Sequence, residues 1–241
     1  MTNLWRFEVK YIKFTAFVLS GLMLFYLILI PDISVLKDEN PDKTSFMIYR
    51  ENEWKHDNKN YKIKHKWVPY SRISSYIKKA VIVAEDDKFW SHDGFDFDAI
   101  KDAMEANYKA KKFKAGASTI TQQLAKNIYL SPSKNPLRKM KEALITWRME
   151  KVLSKRRILE LYLNSVEWGD KGIFGIEAAS RYYFGKPASA LNPEESSKLA
   201  AILPNPRKYN PLKPSRYVLR KSDLIYRRMV RRGIVVAANN R

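Results

Sequence analysis

The chain has 241 residues, with 45 Lys and Arg against 25 Asp and Glu, a formal net charge of +20 and no cysteine. The absence of thiols excludes disulfides, thiolate metal sites and a cysteine nucleophile. The basic excess favours anionic partners: nucleic acid, an acidic bilayer surface or a phosphorylated substrate. At 45% hydrophobic residues, the chain can build one sizeable domain and an appendage.

The first element is an uncharged apolar run, residues 14–30, FTAFVLSGLMLFYLILI. As a helix rising ~1.5 Å per residue it reaches roughly 25 Å, slightly short of a ~30 Å hydrocarbon core. Trp5, Lys10, Tyr11 and Lys13 stand where they extend it into the interface. The run is long for a signal-peptide core, and ILIPDISVLKDEN offers no small-residue cleavage site. We therefore read a cytoplasmic tail over 1–13 and a retained single-span anchor over 14–30. Arg6, Lys10 and Lys13 precede the span, whereas Asp32, Asp38, Glu39 and Asp42 follow it. The basic flank stays cytoplasmic, which places the rest of the chain outside the inner membrane. That topology removes nucleic acid from the partners.

Residues 31–66 are polar and mixed, and read as a stalk with a short strand at SFMIYR. A mainly helical domain is expected over 67–241. Its first helix carries Ile73, Ile77, Val81 and Ile82 on one face. Next, Phe97, Ile100, Met104 and Tyr108 fall at helical spacing and lead into KAKKFKAGAS, with Phe113 among the lysines. This stripe suits either a core face or an amphipathic helix lying on an anionic membrane. Asn135 and Pro136 then cap a helix whose apolar stripe is Leu137, Met140, Leu144 and Trp147. A further helix starts at Ser154, another closes at Gly185, and Asn192-Pro193 opens one with Glu194 and Glu195 in its first turn. The proline-rich LPNPRKYNPLKP reads as an extended surface wrap before a last helix in SRYVLRKSDLIYRRMVRRG.

Four polar constellations stand out along this frame. In AEDDKFWSHDGFD, the apolar run AVIVA leads straight into Glu85, followed by Asp86, Phe89, His92 and Gly94. Either this is a solvated, capping acid cluster, or Glu85 is a carboxylate partly withdrawn from water, as a general base requires. In GASTITQQLAKN, Ser118 and Thr119 precede a helix carrying Gln122, Gln123, Lys126 and Asn127. That is a polar helix surface, or a set of donors for sugar hydroxyls and phosphate oxygens. In SKNPLRKMKE, Lys134, Arg138, Lys139 and Lys141 crowd Glu142, and Arg138 and Glu142 have the i, i+4 spacing of an ordinary helix pair. In ILELYLN, residues Glu160, Tyr162 and Asn164 either brace a site or simply pack.

These segments, EDDKFWSHDGFD, GASTITQQLAKN, RKMKE and RRILELYLN, stand in the order and spacing of peptidoglycan glycosyltransferases of family 51, and AAILPNPRKYNP resembles that family's fifth motif. The resemblance covers roughly residues 70–215. With no transpeptidase domain following, the monofunctional form is expected.

The resemblance implies a lysozyme-like, two-lobed helical domain, with a head and a membrane-facing jaw, behind one N-terminal transmembrane helix. It implies polymerisation of lipid II into β-1,4-linked glycan with inversion and release of undecaprenyl pyrophosphate. Glu85 and Glu142 are the expected catalytic carboxylates, Glu85 as base on the acceptor hydroxyl. Lys126, Lys134, Arg138 and Lys141 are the expected pyrophosphate cations. Asp86, Phe89, His92, Ser118, Thr119, Gln122, Gln123 and Asn127 are expected to build the site or touch substrate. A divalent cation, Mg or Mn, held by Glu142 is the one cofactor expected, and no organic cofactor is. The expected partners are lipid II, the nascent glycan, the anionic membrane surface, and proteins of cell division or elongation. A pyrophosphate leaving group needs cations where a glycosidase needs a general acid. A lytic muramidase and a non-catalytic cell-wall scaffold are the competing functions.

Overall fold

The computed structural model describes residues 2–111, 116–133 and 135–235; for residues 2–10, 27 and 28 it describes the backbone alone. The fold is mainly helical. Helix α1 (Thr2–Ile28) presents its described apolar side chains, Phe14, Phe17, Leu22 and Phe25 among them, to the exterior. Among the described residues no helix is long and apolar enough to cross a membrane.

The strand expected at SFMIYR is instead part of helix α2 (Ser45–His56). Thr44 caps it by accepting from the Met47 amide at 3.2 Å. Met47 and Trp54, two turns apart, are buried on its inner face, so helical rather than alternating burial decides this short apolar run. Strand β1 (Lys64–His65) follows, then α3 (Ser75–Glu85), α4 (Phe97–Ala110), α5 (Ile120–Tyr129), α6 (Pro136–Val152) and α7 (Lys155–Ser165). Strands β2 (Glu167–Gly169) and β3 (Ile173–Phe174) complete a small sheet in the order β1-β3-β2, in which β1 runs parallel and β2 antiparallel to β3. Helices α8 (Ile176–Phe184), α9 (Pro193–Ile202) and α10 (Arg216–Arg231) close the chain.

Two packing units hold the site. Helices α3, α9 and α10 pack against one another, and α5 packs on α2, α6 and α7. Leu124, Ile145, Met149, Leu159 and Tyr162 fill the second unit without solvent exposure. The expected helix starts hold. Asn135 accepts from the Leu137 amide with Pro136 in the first turn, Ser154 caps α7, and Asn192 and Glu195 form a capping box on α9.

The α6 stripe does not face the core. Leu137, Met140, Leu144 and Trp147 are exposed, and the buried face is Glu142, Ile145, Thr146 and Met149, about half a turn away. Helix α4 buries none of its residues, and Phe97, Met104 and Tyr108 are 75%, 67% and 87% exposed. Of the two readings of that stripe, the core face is therefore excluded.

Candidate active site

Helix α3 ends at Glu85, where its buried apolar face runs out into a turn. The Glu85 carboxylate is 12% exposed; Oε2 accepts from Gln123 Nε2 at 3.0 Å, and Lys221 Nζ lies 3.5 Å from Oε1. Gln123 Oε1 in turn accepts from the Tyr162 hydroxyl at 2.9 Å. Tyr162 is fully buried, and burial first, then the charges of Glu85 and Asp86, push its phenol well above the usual tyrosine range. It stays a proton donor, fixing which end of the Gln123 amide points at Glu85.

The acids beside Glu85 do different work. Asp86 is buried and accepts from His92 Nε2 at 2.8 Å and from the Ile120 amide, at the N-terminus of α5, at 2.9 Å. The Gly94 amide donates to His92 Nδ1 at 3.1 Å, so Nε2 is the ring nitrogen that donates to Asp86. Gly94 itself (φ +89°) passes so close to α6 that a Cβ would lie 2.8 Å from Thr146 Cγ2. Asp87 is an exposed partner of Arg232. The acidic cluster thus divides into one half-withdrawn carboxylate, one buried clamp and one surface ion pair.

Helix α5 starts on a capping box: the Gln122 amide donates to Thr119 Oγ1, and Gln122 Oε1 accepts from the Thr119 amide. Thr119 Oγ1 also donates to the Gly94 carbonyl at 2.7 Å. These bonds commit Thr119 and Gln122 to building the site, and Phe89, which is wholly buried, and the Asp86–His92 pair belong with them. Ser118 is exposed and lines, with Glu85 and Arg228, a hollow of about 220 Å³. On the other side of Gln123, Lys126 and Asn127 line a second cleft of about 220 Å³ with Phe46, Arg50, Glu167 and Arg207. Asn127 is buried there.

Lys126 links the two carboxylates. Burial lowers its ammonium from the usual lysine range. Glu142 and Glu85 pull it back up, and Arg138 and Lys139 push it down. Its ammonium stands 5.9 Å over the Phe46 ring, and among the described residues no carboxylate lies within ion-pair distance. A cation withdrawn from water without a counterion is a place for an anionic ligand.

Glu142 is 3% exposed; Arg138 Nη1 donates to Oε2 at 2.6 Å and Lys139 Nζ donates to Oε1. Arg138 Nε also donates to the Ser133 carbonyl at 2.5 Å. Lys141 is not part of this cluster. The ~100° turn per residue carries it to the α1 side of α6, where its ammonium sits 4.3 Å from the Tyr26 ring centroid. Lys134 and Phe113 lie outside the described residues. Glu142 does not fit a divalent cation in this arrangement. Both its oxygens hold protein cations, and no group of three His, Asp or Glu able to hold a metal occurs among the described residues.

Of the bracing residues, Tyr162 reaches Gln123, Asn164 spans the Val68 amide and carbonyl, and Glu160 accepts from the Tyr70 amide. Sequence reasoning missed Lys221 and Arg228, although the i, i+7 spacing of cations on α10 was there to read. It also missed Phe46 and Arg50, which lie in the stretch read as a stalk and carry no local signal.

The sequence profile of the transglycosylase family matches residues 52–230, and the chain belongs to that family. A biosynthetic peptidoglycan transglycosylase of Methylobacillus flagellatus is 49% identical over 192 residues, covering 80% of this chain and 83% of the relative. Proteins of the same name from Chromobacterium violaceum and Aromatoleum aromaticum are 47% identical over 217 residues and 56% over 170. They cover 90% and 70% of this chain, and 95% and 74% of their own.

Proposed function

We propose that this chain polymerises lipid II into the β-1,4-linked glycan strands of peptidoglycan, inverting the donor sugar and releasing undecaprenyl pyrophosphate. The carrying observation is the pairing, across one amide side chain, of Glu85 with the unneutralised Lys126. The 4-hydroxyl of the acceptor GlcNAc gives its proton to Glu85 as its oxygen attacks C1 of the donor MurNAc. The bond from C1 to the pyrophosphate oxygen breaks, and both of its electrons leave with the diphosphate. The new β-1,4 bond forms in a single in-line displacement, with no covalent sugar–enzyme species. Gln123, held by Tyr162, keeps one Glu85 oxygen oriented and leaves lone pairs for the incoming proton. Lys126 and Arg138, together with Lys134 by sequence, stabilise the growing negative charge. Glu142 acts by holding Arg138 and Lys139 in place.

Residues 14–30 form the single-span anchor in this reading, residues 1–13 stay cytoplasmic, and the catalytic unit works on the periplasmic face of the inner membrane. Its apolar sequence and the exposed face of α1 support that placement. Helix α4 with its unburied Phe97, Met104 and Tyr108 is the jaw, lying on the bilayer beside the lipid substrate, and the other helices are the lysozyme-like head.

The test is incubation of the full chain with lipid II and, separately, with purified glycan strands, each with and without a chelator. Polymer and undecaprenyl pyrophosphate from lipid II alone are expected. Degradation of finished strands would replace this reading with a muramidase. Inertness toward both would leave a scaffold.

A further inference from the structure

The cleft holding Lys126 and Asn127 is open at its outer end. Arg50, Asn205 and Arg207 line it and also line a wider hollow of about 510 Å³, whose remaining walls are Lys59, Tyr61, Asp170 and Lys208. The shared residues make the two hollows one groove that leads away from Glu85. One wall is α2 and the loop behind it, and the other is the turn at 204–208. The walls are fixed to each other. Arg50 forks onto Glu167 through Nε and Nη2 at 3.1 and 2.9 Å and donates through Nη1 to Glu53 at 2.9 Å. Arg207 Nη1 reaches the same Glu53 at 3.2 Å. Glu167 is buried, so α2 could not lift away without stranding that carboxylate.

The outer part of the groove is furnished for one kind of ligand. Tyr61 is 38% exposed and held at 87° against Trp54. Asn205 offers an amide, and Arg207 has Nε and Nη2 to spare. The Lys208 ammonium has no carboxylate within ion-pair distance among the described residues, its recorded contact being the Tyr209 ring at 5.9 Å. An aromatic ring, an amide, the unpaired Lys208 ammonium and the spare donors of Arg207 suit a sugar chain bearing carboxylates.

We propose that this groove carries the product strand away from the reacting centre. Tyr61 and Asn205 run along the sugars, and Lys208 and Arg207 receive the carboxylates of the peptide substituents. The inference rests on the polymerase reading and adds a product track built partly by α2, most of which precedes the segment matched to the family. Holding the strand there raises the number of additions per encounter and leaves the bond-forming step alone.

Full-length Lys208→Glu and Tyr61→Ala variants with lipid II provide the test, with glycan length and lipid II consumption as separate readouts. We expect mean length to fall on the order of threefold, the effect of losing an exposed contact, while the initial rate of consumption stays near that of the parent chain. Binding of purified strands, intact and stripped of peptides by an amidase, is the second measurement. Stripped strands should bind the parent more weakly, and Lys208→Glu should erase that preference. Unchanged lengths in both variants, or equal binding of intact and stripped strands, would overturn the proposal. A parent chain that makes no polymer would instead sink the polymerase reading, and the strand-binding measurement would still judge the groove.

Discussion

Glu85 and Glu142 are both carboxylates drawn out of water, yet their surroundings are opposite. Around Glu85 the close partner is a neutral amide at 3.0 Å, and the nearest cation stands back at 3.5 Å. Around Glu142 two cations from its own helix occupy both oxygens. A carboxylate left with spare lone pairs can accept a proton in a reaction, whereas one saturated by a guanidinium and an ammonium can only hold them still. The pair shows that burial alone does not decide what a carboxylate is free to accept; what occupies its oxygens does.

Substitutions should pull the two apart. Glu85→Gln keeps the shape and the Gln123 contact but loses the proton acceptor. We expect a ~10²–10⁴-fold loss of lipid II polymerisation with an unchanged melting temperature. Lys126→Ala should cost about 10²–10³-fold by removing an oriented charge. Because burial lowers the Lys126 ammonium, it loses its proton at a lower pH than an ordinary lysine. The alkaline limb of donor binding should therefore fall below the usual lysine range, and Lys126→Arg should move it upward; a pH profile of KM for lipid II decides this. Glu142→Gln should act mainly on stability, toward the low end of the ~3–5 kcal/mol lost when a buried ion pair is broken, since Lys139 is half exposed and can turn to water. If that variant melted normally and lost activity as fully as Glu85→Gln, the division of labour would be wrong. Tyr162→Phe frees the Gln123 amide at a cost of ~0.5–1.5 kcal/mol, so kcat should fall by up to about tenfold. Met104→Glu on α4 should leave soluble-phase chemistry alone and weaken liposome partitioning of the protein.

Much of the frame was legible because helix ends are written locally. Asn135-Pro136, Ser154, Gly185 and Asn192-Pro193 each mark a terminus with atoms that bond within a turn. The order of the polar motifs likewise located Glu85, Gln123 and Lys126. What could not be read is whatever depends on partners distant in sequence. Nothing near Arg50 announces Glu167, 117 residues away, and so the sequence of α2 reads as stalk. The Leu137–Trp147 stripe has core periodicity, but the polar set Glu142 and Thr146 won the interior by pairing with Arg138, Lys139 and the backbone. Thr119 and Gln122 could not be sorted into substrate contacts or caps until their bonds were seen.

The bond from the Ile120 amide to Asp86 joins positions 34 residues apart, and Thr119 Oγ1 closes onto Gly94 beside it. Helix α4, which buries none of its residues, is thus an excursion that starts beside this pinned root. Lengthening such an excursion costs only slowly growing closure entropy. The chain can therefore vary the length of this exposed excursion while the geometry behind the staple stays put.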